Sequence, residues 1–181
     1  MHDPVGLFQA ATQRSTTVMA AVGAEQLSAP TPCDAWSVQQ LMDHMAGGPA
    51  YLLAAAEGRA PLPVHGVTAE DYRERVDGAL AALADPAVLA RRCVSPLGFE
   101  WTLAEAAAGT FMDTLVHTWD LAVSTGQDAA LDPALIEVCV AMFLPDMPER
   151  GRAAGIVGPA VPIPPDAPAQ DRLLGAMGRR P

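Results

Sequence analysis

The sequence contains no lysine, so all eleven of its basic side chains are arginines. Its 21 acidic residues give a formal net charge of −10 at pH 7. A phosphate backbone or an anionic membrane repels a chain with this excess of negative charge. We therefore expect neither a nucleic acid nor a membrane surface among its partners.

Long apolar runs are missing too, and we expect no secretory leader. No run of apolar residues approaches the roughly 20 that cross a bilayer, and the first residues lack the basic start and apolar stretch of a signal peptide. Cysteine is scarce, because only Cys33, Cys93 and Cys139 occur and no paired spacing connects them. Isolated thiols in an odd number are typical of a reducing compartment, so we expect a cytoplasmic protein.

What the sequence does contain is helical periodicity. Of its 181 residues, 50% are apolar and 18% are charged, which provides for a sizeable core. Apolar residues recur at helical spacing in four long segments and a shorter fifth, over residues 5–27, 37–57, 68–85, 102–126 and 132–143. The second, third and fourth segments begin with capping pairs, Ser37 with Gln40, Thr68 with Asp71, and Thr102 with Glu105.

The composition changes at Pro145, because eight of the seventeen prolines lie from there to the end. We predict a helical bundle domain with the functional site over residues 1–144. In the same domain, a Pro-rich tail over residues 145–181 packs on the bundle and contains a short amphipathic turn at 171–177. Residues 88–100 are irregular, with a short extended piece at 92–94. The predicted fold class is all-α, a four-helix bundle with a short fifth helix and an extended Pro-rich C-terminal tail.

The fourth segment carries a narrow polar stripe opposite a broad apolar arc. Asp113, His117 and Asp120 are four and three residues apart, so they share one face of a helix. Such a stripe commonly faces water. This one contains only short polar side chains, without Arg, Glu or Gln, and that favours a central cavity inside the bundle.

His44, in the second segment, projects away from the charged side of its helix and towards Leu41 and Leu52. A lone inward histidine is most often a hydrogen-bonded core residue. Together with the inward Asp113 and His117, it favours a single divalent metal ion held by the three side chains. Two imidazoles and one carboxylate leave positions open for water or substrate, as in catalytic metal sites. Asp120 then orients His117 from behind or serves as an alternative ligand.

The other residues with reactive side chains are weaker candidates. His2 lies at the terminus and His65 in a Pro-rich loop, where both are expected to be solvated. Cys33 and Cys139 are interpreted as small buried apolar residues. The sequence has no Gly-rich phosphate loop, no Gly-x-Ser-x-Gly elbow and no Cys-x-x-Cys pair.

With these residues in view, the sequence resembles actinobacterial DinB-like metal-binding proteins related to mycothiol-dependent maleylpyruvate isomerase. The matching stretches are Thr31–Trp36, Leu41–His44, Asp113–Ala122 with Thr125–Gln127, Asp171–Leu174 and Gly178–Pro181. The resemblance implies a four-helix bundle that binds zinc or nickel through a histidine of the second helix and an acidic-x-x-x-His pair of the fourth. Those positions correspond to His44, Asp113 and His117.

The resemblance also marks one departure. The isomerase has a glutamate as its carboxylate ligand and many DinB proteins have a histidine there, whereas this chain has Asp113, which is one methylene shorter. The carboxylate would then bind the metal directly or through a water. The isomerase has a further C-terminal domain at its active site, which we do not expect here, so the resemblance implies a fold and a metal site more than a reaction.

Three functions fit these features. The first is a metal-dependent transferase or isomerase that uses a low-molecular-weight thiol, mycothiol, as co-substrate with small electrophiles. In it, the metal holds the thiol as thiolate or polarises a substrate carbonyl. The second is a non-catalytic metal- or small-molecule-binding bundle. The third is a structural or interaction bundle with a buried polar cluster and no metal. The high apolar fraction and the long tail favour a homodimer.

Overall fold

The computed structural model describes residues 2–33 and 35–181. Asp34, inside the matching stretch Thr31–Trp36, lies outside the described residues. The helices are α1 (Pro4–Ala20), α2 (Val38–Ala56), α3 (Ala69–Ala82), α4 (Pro86–Leu89), α5 (Leu103–Ser124), α6 (Pro133–Phe143), α7 (Met147–Ala153) and α8 (Ala169–Ala176). Two strands, β1 (Arg92–Val94) and β2 (Glu100–Thr102), and a 3₁₀ turn (Ala24–Gln26) complete the regular structure of this part.

The predicted all-α class and four-helix bundle are confirmed. Within the first compact unit, Met1–Ala129, helix α1 packs against α3 and α5, and α2 packs against the same two helices. The core between them contains Val18, Met19, Leu41, Met45 and Leu121, all nearly inaccessible to solvent. Within the described residues, no helix combines the length and the apolar character needed to span a bilayer.

The predicted capping boxes start three of the four bundle helices. Ser37, Thr68 and Thr102 each accept a hydrogen bond from the backbone N–H three residues later. The side chain at that third position accepts a hydrogen bond from the N–H of the cap residue. Each helix start is therefore specified by nearby residues alone, because the capping box satisfies the unpaired N–H groups of its own first turn.

In the first unit, one predicted helix is shorter than expected, and a predicted extended piece has a pairing partner that was not predicted. Helix α1 ends at Ala20 rather than near residue 27, and a separate 3₁₀ turn follows it. The extended piece predicted at 92–94 is confirmed as β1, but it belongs to an antiparallel hairpin that pairs Cys93 with Trp101.

The second compact unit, Ala130–Pro181, contains α6, α7 and α8. Helix α6 begins at Pro133 with Asp132 as its cap, as predicted, and packs against α8. Helix α8 accounts for the predicted amphipathic turn, while α7 was not predicted. The placement of the tail on the bundle stays a prediction.

Candidate metal centre

Helix α5 is buried around most of its circumference, and the polar stripe is only partly accessible to solvent. The side chain of His117 is 10% exposed and that of Asp120 is 0% exposed. Asp113, one turn earlier, keeps 36% of its side chain accessible. The stripe therefore runs from an accessible carboxylate at one end to a fully buried carboxylate at the other.

The close approach of α2 and α5 brings His44 to this stripe. A Cβ atom added to Gly48 would lie 2.9 Å from Thr110 Cγ2, so a glycine at this position lets the two helices come together. His44 lies one turn before Gly48 and Asp113 one turn after Thr110. The two functional side chains face each other beside this contact.

The structure brings together the three side chains that the sequence selected. His44 Nε2 lies 3.3 Å from each carboxylate oxygen of Asp113. His117 Nε2 lies 3.4 Å from Asp113 Oδ1. The three potential ligand atoms all lie within 4.8 Å of one another, and the imidazole centroids of His44 and His117 are 4.7 Å apart. Ligands at about 2.0–2.2 Å from a tetrahedral zinc ion are roughly 3.3–3.5 Å apart, so the separations to Asp113 fit a shared divalent ion.

The charges of the pair on α5 are strongly coupled. Burial opposes ionisation of Asp113, but the charge of His117 and the hydrogen bonds with both imidazoles hold the pKa of this carboxyl well below its ordinary range. Burial likewise opposes protonation of His117. Here the charge of Asp113, helped by hydrogen bonds with Asp113, Asp120 and Cys33, raises the pKa of the imidazole well above its ordinary value. Asp113 therefore stays ionised, and a metal ion that binds here must displace the proton of His117.

Asp120 acts on the opposite side of the His117 ring. Its Oδ2 lies 2.8 Å from His117 Nδ1. When Nδ1–H donates to this carboxylate, the lone pair of the neutral ring is on Nε2, the nitrogen that faces Asp113 and His44. Metal-binding histidines almost always have such a partner, which orients the ring and strengthens its basicity. Of the two roles expected for Asp120, the geometry fits the orienting one.

Comparison with known proteins gives a family match that includes residues of both helices that carry these side chains. Residues 8–122 match the family described as the mycothiol maleylpyruvate isomerase N-terminal domain. The chain belongs to that family. Two uncharacterised proteins of Mycobacterium tuberculosis, MT0763 of strain CDC 1551 and Rv0738 of strain H37Rv, are each 30% identical to it over 98% of both chains. No solved structure matches the chain. The family match contains His44, Asp113, His117 and Asp120, and its description connects the fold with mycothiol.

Trp36 covers the imidazoles of this family member. Its ring centroid lies 4.4 Å from that of His44 and 5.7 Å from that of His117. The sequence did not indicate that Trp36 belongs to the site. An indole against both rings limits their rotation and removes water from one side of the donor set.

Cys33 lies at the site, although this position was not predicted from the sequence. It was interpreted as a small buried apolar residue, yet it is only half-buried. Its Sγ lies 3.3 Å from Asp120 Oδ2 and 3.8 Å from His117 Nδ1. The one available signal was its position three residues before Trp36, within the matching stretch.

The remaining candidates behave as expected. His2 and His65 are exposed. Cys139, in α6, is inaccessible, and burial raises the pKa of its thiol to about 12. Cys93 lies 3.3 Å from the hydroxyl of Tyr51, which also accepts a hydrogen bond from Trp101.

Proposed function

We propose that this protein binds one divalent metal ion, zinc or nickel, through His44, Asp113 and His117. We further propose that it catalyses a transfer or isomerisation in which a low-molecular-weight thiol such as mycothiol reacts with a small electrophile. The observation that carries the proposal is the convergence of the three side chains from two helices. Membership of a family described by a mycothiol-dependent isomerase supports the thiol.

The donor set decides which chemistry is available. Two neutral imidazoles and a carboxylate suit zinc and nickel, and three protein ligands leave room for an exogenous one. When bound, such an ion supplies a Lewis acid that stabilises a thiolate or polarises a carbonyl. His44 and Asp113 keep 37% and 36% of their side chains accessible, so an incoming ligand would reach the site on their side.

The protein's own residues have separable tasks in this proposal. His44 and His117 supply nitrogen ligands, and Asp113 supplies the negative charge between them. Asp120 accepts the Nδ1 proton of His117 and fixes the orientation of the ring. Trp36 packs on the imidazoles and excludes water from that side.

Metal analysis of protein purified without a histidine tag tests the binding. We expect one equivalent of metal in the wild type and in His65→Ala, a matched change at an exposed loop histidine. His44→Ala and His117→Ala should each lose it. Absence of stoichiometric metal, together with a thermal midpoint unchanged by a chelator, would contradict the proposal.

Turnover separates the enzyme from a binding protein. The metal-loaded wild type is incubated with mycothiol and a small electrophile such as maleylpyruvate, and loss of the electrophile is followed. We expect turnover that disappears with metal removal and in His117→Ala. Metal binding without turnover on a panel of electrophiles would favour the non-catalytic bundle.

A further inference from the structure

One short segment delivers two side chains to the metal centre from different directions. Residues 30–33 and 35–37 lie before α2, and an antiparallel bridge joins Pro30 to Ser37. The Thr31 hydroxyl lies 2.9 Å from the carbonyl oxygen of Trp36 and accepts a 3.1 Å hydrogen bond from the N–H of Cys33. The N–H of Trp36 in turn donates to the carbonyl of Cys33 at 2.8 Å. The positions of the thiol and the indole are therefore fixed by the same set of bonds.

The thiol reaches the carboxylate that orients His117. Asp120 has a fully buried side chain, and its Oδ2 is 2.8 Å from His117 Nδ1 and 3.3 Å from Cys33 Sγ. A carboxylate without access to water depends on hydrogen-bond donors from the protein. Cys33 is such a donor, and it meets the same oxygen that binds the ring.

The thiol lies on the Nδ1 side of the imidazole, away from the donor set. Cys33 Sγ is 3.8 Å from Nδ1, whereas His44 and Asp113 face Nε2. Cys33, His117 and Asp120 also form a compact group of potential ligands. However, the 2.8 Å between His117 Nδ1 and Asp120 Oδ2 is a hydrogen-bond distance. It is shorter than the roughly 3.3 Å expected between two ligands of one tetrahedral zinc ion.

We propose that Cys33 is a positioning residue of the metal centre, whose thiol holds Asp120 and through it the ring of His117. This inference rests on the proposed function, because it assumes that His117 Nε2 binds a metal. It assigns the thiol a role in metal affinity without ligation. It also explains how the segment before α2 is connected to the site.

The test compares Cys33→Ala with Cys33→Ser by measuring zinc affinity in competition with a chromophoric chelator. We expect about tenfold weaker binding in Cys33→Ala, within the range known for residues that orient metal ligands. Cys33→Ser restores a donor and should bind within about threefold of the wild type. Cys139→Ala, at a buried thiol of the second unit, is the control and should bind like the wild type. If Cys33→Ala lowers the thermal midpoint of the metal-free protein, Cys33→Val repeats the comparison with the volume retained.

A double-mutant cycle with Asp120→Ala tests whether Cys33 acts on His117 through Asp120. If Cys33 acts through Asp120, adding Cys33→Ala to Asp120→Ala should cause no further loss of affinity, and additive losses would overturn the inference. Cobalt substitution adds a spectroscopic readout. A thiolate-to-cobalt charge-transfer band present in the wild type and absent in Cys33→Ser would make Cys33 a ligand and overturn the positioning role.

The outcomes separate the two proposals. A wild type that binds zinc as tightly as Cys33→Ala overturns only the inference about the thiol. A wild type without stoichiometric metal overturns the metal centre, and the role of Cys33 with it.

Discussion

The carboxylate of Asp120 lies 2.8 Å from Nδ1 of His117, three residues earlier on the same helix. The pair is enclosed, with 0% and 10% of the two side chains exposed. A buried aspartate beside a histidine selects the tautomer of the ring, because only a protonated Nδ1 can donate to it. The free lone pair is then on Nε2, at the side where His44 and Asp113 converge.

Asp120→Asn should weaken zinc binding by about 10- to 100-fold, since the amide is a poorer acceptor and no longer enhances the basicity of His117. Titration against a chromophoric chelator measures the change. Asp77→Asn, at an exposed position of α3, is the matched control and should leave the affinity unchanged. Equal affinities for Asp120→Asn and the wild type would show that the tautomer is fixed without this carboxylate.

Zinc affinity should rise with pH through and above neutrality. The pKa of His117 in the metal-free protein is raised well above its ordinary value, and the proton must leave before Nε2 can bind a metal. Below that pKa, each pH unit lost should cost about tenfold in affinity for the one proton displaced. Calorimetry in buffers of different ionisation enthalpy measures the proton release directly. An affinity that does not change between pH 7 and pH 8 would contradict the coupling.

Replacing Asp113 should alter this dependence. In Asp113→Asn the charge that raises the pKa of His117 is gone, so the proton leaves at lower pH. We expect weaker zinc binding overall, together with a pH dependence that levels off nearer neutrality. The same calorimetric titrations resolve the two effects.

The metal-free protein should show the opposite trend in stability. His117 has a raised pKa, so its contribution to stability is complete below its unfolded value, about 6.5, and is lost as the pH rises through the folded value. Asp113 has a lowered pKa, so its contribution is complete above about 3.9 and is lost as the pH falls. The pair is therefore most stabilising between about pH 4 and 6.5.

Thermal denaturation of chelator-treated protein tests this window. Asp113→Asn should lower the midpoint more at pH 5.5 than at pH 9, because the stabilisation by protonated His117 beside Asp113 is complete only below the unfolded pKa of histidine, about 6.5. With zinc present, the stabilisation by metal should instead grow with pH. Equal effects of Asp113→Asn at both pH values without metal would refute the ion pair.

The parts of this site that depend on helix periodicity were predictable from sequence. Capping boxes specify where α2 and α5 begin, so the faces of His44, Asp113 and His117 follow from residue spacing. Their convergence also required that both faces point inward. The absence of long polar side chains on the stripe of α5 indicated that, and burial of His117 and Asp120 agrees with it.

The place of Cys33 was not predictable in the same way. It lies in a segment without helical or strand periodicity, and 84 residues separate it from His117 in the chain. Its position depends on hydrogen bonds to Thr31 and Trp36, which no repeat in the sequence specifies. Local patterns define the faces of helices, whereas loop contacts of this kind depend on the assembled structure.

The close contact between α2 and α5 lets the short side chain of Asp113 reach His44. Asp113 reaches within 3.3 Å of His44 Nε2 beside the point where Gly48 lets Thr110 approach. Gly48→Ala would place its Cβ 2.9 Å from Thr110 Cγ2, so either the side chain of Thr110 or the helices must shift. Overpacking of this kind costs about 1–3 kcal/mol, against roughly 1 kcal/mol gained from helix propensity.

Gly47→Ala is the matched control for this contact. It lies one residue earlier on the same helix, and an added Cβ has nothing within 4 Å. We expect it to stabilise the protein by about 0.5–1 kcal/mol through helix propensity, with unchanged zinc affinity. Gly48→Ala should lower both the thermal midpoint and the zinc affinity, because a shift of the helices moves His44 away from Asp113. If the two variants bind zinc equally, the spacing of the helices does not set the reach of Asp113.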